Sequence, residues 1–588
     1  MIQLVRNLRL AAATVAEHLA DDPIVLMLQF SRRLPAGAVQ RAANLVRTIA
    51  PQGSTAAAVL LACYASGDLD SLTQKFQALL ATGPAGRKAI HAADIALAAR
   101  RTDWAAKLLV AVPPETRKLP AVLARKAWFD GEMSTAVELL QDQAGAMGRQ
   151  RDRLAAELNV FAGSTPRLPR PSVQSDLNRT PGNRNRVLHL LTNSLPHTTS
   201  GYAQRTHSIL SAQQEAGWEV LAVTRPGYPV QVGKLNAKAV DVVDGVTYQR
   251  CLPQHLGRGL DNRLQQQAEA LLQTAHKFQP SVLHTTTHFV NGVVVREVAK
   301  ALDIPWVYEV RGQLADTWAA AHGPDARTSE RYSLFREREA EVMRSADLVV
   351  TLGEAMKGQI VNAGVHPDRI IITPNAVGGA FLQEPMEPEQ ARQALGLPVD
   401  GQWIGTVSSL VDYEGLDDLV EAFASLAPER PDLRLLIVGD GTAAPALKER
   451  LRQLGLTDRA LFTGRVARDK TPLYHQALDV FVVPRKDLAV TRAVTPLKPV
   501  EALASARPVV ASDLPAMREI VHDGITGSLV SAESPNELAE AIGRLLADEP
   551  LRREFGIRGR ETVLKTRTWA ANAKLYIRKY HHLSEANR

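Results

Sequence analysis

The chain has 588 residues, of which 45% are hydrophobic, a net charge of +7 and two cysteines. That length supports three or four domains with ordinary cores, and Cys63 and Cys251, in separate regions and without ligand spacing, exclude a disulfide scaffold or a cysteine metal site. No block of basic residues interleaved with aromatics argues for nucleic acid, and no apolar run is long enough to cross a bilayer.

Residues 1–20 carry charges and lack a cleavable apolar core, so a cytoplasmic setting is expected. The mild positive charge suits anionic substrates or peripheral contact with the inner face of a membrane. Residues 1–162 are rich in Ala and Leu at helical spacing and read as an all-helical domain. Turns near 66–68, 101–103 and 130–132 recur at a separation of roughly 30–35 residues, close to the tetratricopeptide period. Such hairpins could form a concave surface for a protein partner or a cap on the rest of the chain, and both readings stay open.

Residues 163–186 lose periodicity and gain Pro166, Pro169, Pro171 and Pro181, which reads as a linker. Its arginines, Arg167, Arg170, Arg179, Arg184 and Arg186, make it basic, suited to lipid headgroups or simply to water.

From 187 to 390 the pattern is α/β: a strand at 187–191, a glycine-bearing loop, a helix at 203–216 and a strand at 219–224 make a βαβ unit. Further strands at 281–284, 306–310, 348–351 and 370–373 alternate with helices and predict a parallel, doubly wound sheet. A second series fills 391–567, with strands at 403–408, 433–438, 460–462, 480–483, 509–511 and 527–530. Two Rossmann-like domains in tandem follow, and ligands bind beyond the carboxyl ends of such strands. An amphipathic helix within 568–588 comes late enough to cross back to the first of them.

Residues 494–512 carry the chemistry. A proline-broken loop with Lys498 leads into a short helix containing Glu501, where helix amides can face an anion and a carboxylate can hold sugar hydroxyls. With Ser200-Gly201-Tyr202 and Arg205, Thr373-Pro374-Asn375, Val438-Gly439-Asp440-Gly441 and Phe462-Thr463-Gly464-Arg465-Val466, this stretch resembles the retaining glycosyltransferases of family four, which have the GT-B fold, over 186–582. The resemblance implies transfer of a sugar from a nucleotide diphosphate sugar to a saccharide or lipid-linked hydroxyl acceptor, without metal or cofactor, in envelope polysaccharide or glycolipid synthesis. It implies Glu501, Lys498, Leu497, Ser409, Arg465, Val466, Gly439 and Arg485 on the donor side. Arg311, Glu309 and Lys498 would serve the chemistry, and Gly201, Tyr202, Arg205 and Asn291 the acceptor.

Three positions depart from the family pattern. Ser409 and Glu414 stand where an Arg and a Lys usually clamp the diphosphate, Ala493 replaces the first of two glutamates, and Arg311 stands where a His is common. Compensating cations are expected from Lys498, Arg485 or Lys486, and from Arg311 or Arg205, because buried phosphate charge left unpaired is costly. The alternatives are a non-catalytic helical-repeat interaction protein with a degenerate transferase body, and a sugar-nucleotide epimerase of similar fold.

Overall fold

A computed structural model describes residues 2–21, 36–51, 53–84, 86–110, 112–169 and 185–586; most of the expected linker, including Arg170, Arg179 and Arg184, lies outside these residues. The first lobe is built on β1 (Arg186–Leu191), β2 (Glu219–Thr224), β3 (Val240–Val243), β4 (Val246–Arg250), β5 (Val282–Thr286), β6 (Trp306–Glu309), β7 (Leu348–Thr351) and β8 (Ile370–Ile372). These form one sheet in the order β3-β4-β2-β1-β5-β6-β7-β8. The strands β1, β5 and β7, of which β1 and β7 are largely apolar, are buried on both faces, as strands of a helix-covered parallel sheet must be.

The expectation of a wholly parallel first sheet is corrected at its edge, where β3 pairs antiparallel with β4. Asp244 and Gly245 between them both have positive φ, at 47° and 81°. That geometry makes the two-residue turn matching strand twist, and Asp-Gly between short strands is its usual sequence sign.

The second lobe has β9 (Trp403–Val407), β10 (Arg434–Val438), β11 (Ala460–Gly464), β12 (Val480–Val483), β13 (Val509–Ser512) and β14 (Gly527–Val530), ordered β11-β10-β9-β12-β13-β14. All pairings are parallel. The strand order reverses between β9 and β12, the place where ligands enter such sheets.

The described part of the N-terminal region is all helix. Helices Ala57–Ala65 with Leu69–Ala81, and Gly86–Ala98 with Thr102–Val110, form hairpins around their own core of Leu60, Phe76, Ile90 and Trp104. Leu119–Asp130 and Met133–Glu138 continue the series, but Met133, Val160 and Phe161 join the core of the first lobe. Polar contacts close that seam: Ser134 N donates to Glu330 Oε2 at 2.7 Å and Arg331 N to the Gly131 carbonyl at 2.9 Å.

The last helix, Trp569–Ala586, returns from the second lobe to the first. Val377 pairs with Thr568, and Tyr576 and Tyr580 are fully buried among Val187, Leu191 and Ile209.

Candidate functional site

On the first lobe, Ser200 caps the helix Gly201–Glu215 by accepting from Ala203 N, so Tyr202, Arg205 and Thr206 stand in its opening turns beside the end of β6. Glu309, the last residue of β6, is completely buried between two guanidinium groups. Arg205 Nε donates to Glu309 Oε1 at 2.9 Å and Arg311 Nη2 donates to Oε2 at 2.6 Å. His284 Nε2 stands 3.6 Å from the same oxygen. Burial alone would raise the Glu309 pKa, but Arg311 and Arg205 hold it well below the usual carboxylate range. With Glu309 ionised and His284 kept neutral by burial, the cluster retains one unit of positive charge.

Arg205 also donates to the carbonyls of Thr373 at 2.7 Å and Pro374 at 3.1 Å, and to Asn375 Oδ1 at 3.0 Å. It therefore holds the Thr373-Pro374-Asn375 passage against the first helix. Asn375 Nδ2 reaches the Thr495 carbonyl at 2.8 Å, so this passage touches the loop that precedes Lys498.

On the second lobe, that loop is pinned from both sides. Val494 packs against the first lobe's core, and its carbonyl accepts from Arg485 Nη1 at 2.9 Å. The helix Lys498–Ala504 follows, and Lys498 Nζ donates to Glu501 Oε2 at 3.1 Å, with His475 Nε2 3.4 Å from the same oxygen. Burial opposes ionisation of Glu501, yet Lys498 first, and His475 with it, draw its pKa down to about 2. Lys498 keeps about a third of its side chain exposed and can therefore turn toward a ligand.

The loop after β9 lies against the same wall. Lys486 N donates to the Tyr413 carbonyl at 3.1 Å, and a Cβ at Gly415, φ +66°, would stand 1.8 Å from the Pro484 carbonyl. Gly439, φ +134°, lies equally close to the Ser408 carbonyl, so neither glycine can be replaced without moving backbone.

These contacts place the expected residues unequally. Gly201 and Tyr202 are exposed at the rim, and Ser409 is exposed after β9. Arg465 is exposed, with Nε 3.7 Å from Asp440 Oδ2, and Val466 packs beside it on the second-lobe core. Leu497 is the N-cap of the Lys498 helix. The cations expected to replace the missing clamp are already engaged. Arg485 is buried and bidentate on Glu414 at 2.8 and 3.2 Å, Lys486 is paired with Asp417, and Arg205 and Arg311 are paired with Glu309. Asn291 is buried, its amide donating to Thr192 Oγ1 at 2.8 Å, so it holds loops together instead of facing an acceptor.

Sequence reasoning missed His475, Tyr413 and Glu339. His475 carried no motif and is found only because β12 and its neighbours stack it on Phe481 beside Glu501. Glu339 lies on the helix Glu330–Ser345, where burial and then Asp316 push its carboxyl up to about 8. Burial raises the pKa of the Tyr202 and Tyr308 phenols, and Glu339 adds to both shifts. Among the described residues no group of three or more His, Cys, Asp or Glu could hold a metal ion, and no helix is long and apolar enough to cross a membrane.

Two family models match this arrangement, "Glycosyl transferase 4-like domain" over 200–376 and "Glycosyl transferases group 1" over 387–562. The chain is 34% identical to D-inositol 3-phosphate glycosyltransferase of Acidothermus cellulolyticus, over 38% of this chain and 50% of the relative. It is 28% identical to alpha-monoglucosyldiacylglycerol synthase of Streptococcus pneumoniae, over 47% and 62%. It is 32% identical to the lipopolysaccharide core biosynthesis mannosyltransferase LpsB of Rhizobium meliloti, over 31% and 52%. The chain thus spans about half the length of the first of these relatives. Among solved structures, sucrose-phosphate synthase from Thermosynechococcus elongatus aligns with a TM-score of 0.56 at 22% identity, over 68% of this chain and 100% of that one. HepE of Anabaena, solved in complex with UDP, aligns with 0.54 at 17%, over 68% and 100%. Those likenesses speak for the fold, and the two matched domains fall one on each lobe, so the chain belongs to the GT-B glycosyltransferases of the family-four type.

Proposed function

We propose that the chain transfers a sugar from a nucleotide diphosphate sugar to a saccharide or lipid-linked hydroxyl, with retention of configuration and without a metal. The observation that carries this reading is the ionised Glu501, held by Lys498 and His475 on the helix that follows the loop touching both lobes. A carboxylate kept charged and nearly buried has acceptor capacity left for the two hydroxyls of a ribose. Lys498 is the cation best able to leave its partner, since it is the most exposed and its pair with Glu501 is 3.1 Å long, whereas Arg485, Arg205 and Arg311 are buried on their carboxylates and Lys486 is held by Asp417 at 2.5 Å. The net positive charge of the Glu309 cluster supplies the remainder of the field.

In this scheme the bond between the sugar C1 and the β-phosphate oxygen breaks, and its electron pair leaves with the nucleoside diphosphate. A phosphate oxygen takes the proton of the acceptor hydroxyl as the new C1–O bond forms on the same face. Lys498 and the amides near Leu497 meet the departing charge, Ser409 and Gly439 line the diphosphate, and Arg465-Val466 meet the base edge. Glu309 and Arg311 orient the sugar from the first lobe, while Gly201 and Tyr202 border the acceptor. Metal independence rests on the resemblance. The relatives' names, which include a diacylglycerol glycoside synthase and a lipopolysaccharide core mannosyltransferase, support a role in cell-envelope glycolipid or polysaccharide synthesis. The helical hairpins are read as tetratricopeptide-like and as a site for a protein partner.

Calorimetry with UDP and GDP, beside turnover of a panel of nucleotide sugars, tests this. Glu501→Ala should weaken nucleoside diphosphate binding by about 1.5–3 kcal/mol, the usual value of hydrogen bonds to a charged group. Lys498→Ala should lower turnover more than binding, because its charge matters most as the diphosphate leaves. Undiminished turnover in both variants would refute the assignment. The engagement of Arg485 by Glu414 favours a second reading, a body that has lost its donor clamp and serves only in protein contacts. That reading requires no measurable nucleoside diphosphate binding by the parent chain.

A further inference from the structure

The last helix reaches the charged cluster of the first lobe through two phenols. Tyr576 and Tyr580 stand four residues apart, so they share one face of that helix, and both are completely buried. Tyr576 Oη lies 2.8 Å from Thr373 Oγ1, which accepts from Arg205 Nη2 at 3.2 Å. Tyr580 Oη lies 2.5 Å from Nδ1 of His284, on β5, and the other nitrogen of that ring faces Glu309 Oε2 at 3.6 Å. One turn of helix therefore meets the supports of Arg205 and of Glu309 together.

The protons available set the direction of the second contact. Gln213 Oε1 meets His189 Nε2 at 3.0 Å, and Gln213 Nε2 donates to Tyr580 Oη at 3.1 Å. The phenol thus accepts from Gln213 and has its own proton to give. Among the described residues, His284 Nδ1 is the other group hydrogen-bonded to it, so the proton goes there. A neutral ring that accepts at Nδ1 carries its hydrogen on Nε2, where it points at the ionised Glu309. The opposite tautomer would set a lone pair against a carboxylate and leave the phenol proton without an acceptor. His284, Tyr580, Gln213 and Glu309 have no exposed surface, so water could not repair either fault.

We infer that Tyr580 and His284 are positioning residues for the sugar transfer: the phenol locks the His284 ring with an N–H toward Glu309, and that N–H helps to fix the carboxylate on which Arg205 and Arg311 are aligned. The part played in transfer rests on the transferase reading; the direction of the hydrogen bonds rests on the geometry alone. The groups facing His284 are Glu309 on β6, Arg311 just after it, Arg205 on the helix Gly201–Glu215, His189 on β1, and Tyr576 and Tyr580 on the last helix. Burial opposes a second proton on His284, as do Arg311 and Arg205, and Glu309 favours one. The ring therefore stays neutral and the cluster keeps its single positive charge.

Long-range 15N–1H NMR of the full chain labelled at histidine, with His284→Phe to identify the resonances, reads this tautomer. The parent should show His284 neutral and protonated on Nε2 from about pH 6 to 8. Tyr580→Phe should move the Nδ1 resonance to that of an unbonded lone pair. In turnover of nucleotide sugars, His284→Phe should lower kcat about tenfold, the usual weight of one hydrogen bond to a charged group, and leave the donor KM within about twofold. Tyr580→Phe should lower kcat by less, again with little change in KM or in UDP affinity. His284→Gln, which restores an N–H at the position of Nε2, should recover most of the loss, a rescue that mere space-filling would not give. It also keeps the kinetic test open should Tyr580→Phe fail to fold. An Nδ1–H tautomer or an imidazolium in the parent, parent-like kcat in His284→Phe, or His284→Gln no better than His284→Phe would overturn the inference. If the parent turns over none of the sugars, the transferase reading falls, and the NMR spectrum still decides which nitrogen holds the proton.

Discussion

Glu309 shows how a buried carboxylate can order the cations of a site. It is fully buried and joins Arg205 to Arg311, and its removal would leave two guanidinium groups facing each other in a low-dielectric interior. Breaking a buried pair from one side costs about 3–5 kcal/mol, so Glu309→Gln should lower the urea midpoint by that equivalent. Glu309→Gln with Arg311→Met should recover part of the loss, which a double-mutant cycle by equilibrium unfolding will read. Glu339 gives a pH prediction of the opposite kind. Its folded pKa of about 8 lies above the ordinary 4.5, so the folded state holds the proton more tightly. Stability from this group is present below pH 4.5 and is lost as pH rises toward 8. Glu339→Gln should flatten the fall in thermal midpoint over that window. Neither role was legible from sequence: Glu309 stood in a recognisable motif beside Arg311, but its other partner, Arg205, comes from a helix more than 100 residues earlier, and Glu339 stood in no motif at all.

At the scale of elements, the strands of both sheets were legible because a parallel strand covered on both faces must be a short apolar run. The β3–β4 hairpin was missed because its strands are short, mixed in polarity and half exposed at a sheet edge, although Asp244-Gly245 marked the turn. No local pattern could reveal contacts between lobes. Glu519, from the second lobe, accepts from the amides of Glu354 and Ala355, both at 2.9 Å, and so caps the first lobe's helix Glu354–Asn362. Gly353 makes room for it: a Cβ there would stand 2.2 Å from Glu519 Oε2. A side-chain cap is worth about 0.5–2 kcal/mol, enough to bias two lobes that otherwise move as domains do. Gly353→Ala should therefore act like Glu519→Ala. Both should enlarge the radius of gyration in small-angle scattering of the unliganded chain, and an excess of nucleotide sugar should reverse the change. Scattering identical to the parent in both variants would show that the cap carries no closure energy.

At the scale of the molecule, the hydrophobic cores divide the chain differently from its composition. The compositional change after residue 162 suggests a helical domain that ends there, yet Met133, Val160 and Phe161 are buried in the core that contains Phe289, Val293 and Phe335. Phe161 meets Phe289 at 5.1 Å and Phe335 at 5.4 Å, both edge to face. Phe76, by contrast, is buried in the separate core of the first hairpins, against Trp104 at 4.6 Å. Periodicity identifies which face of a helix is apolar but not which neighbour covers it, so the two phenylalanines look alike in sequence. They should behave differently on heating. Truncating a buried Phe to Ala costs about 3–5 kcal/mol, and the cost falls on whichever cooperative unit loses the packing. Differential scanning calorimetry of the full chain should resolve the hairpins from the two-lobed body. Phe76→Ala should lower only the hairpin transition, and Phe161→Ala only the transition of the two-lobed body. If Phe161→Ala instead shifts the same transition as Phe76→Ala, the helices of 133–161 belong energetically to the hairpins, and the seam is a docking surface between two independent domains instead of part of one core.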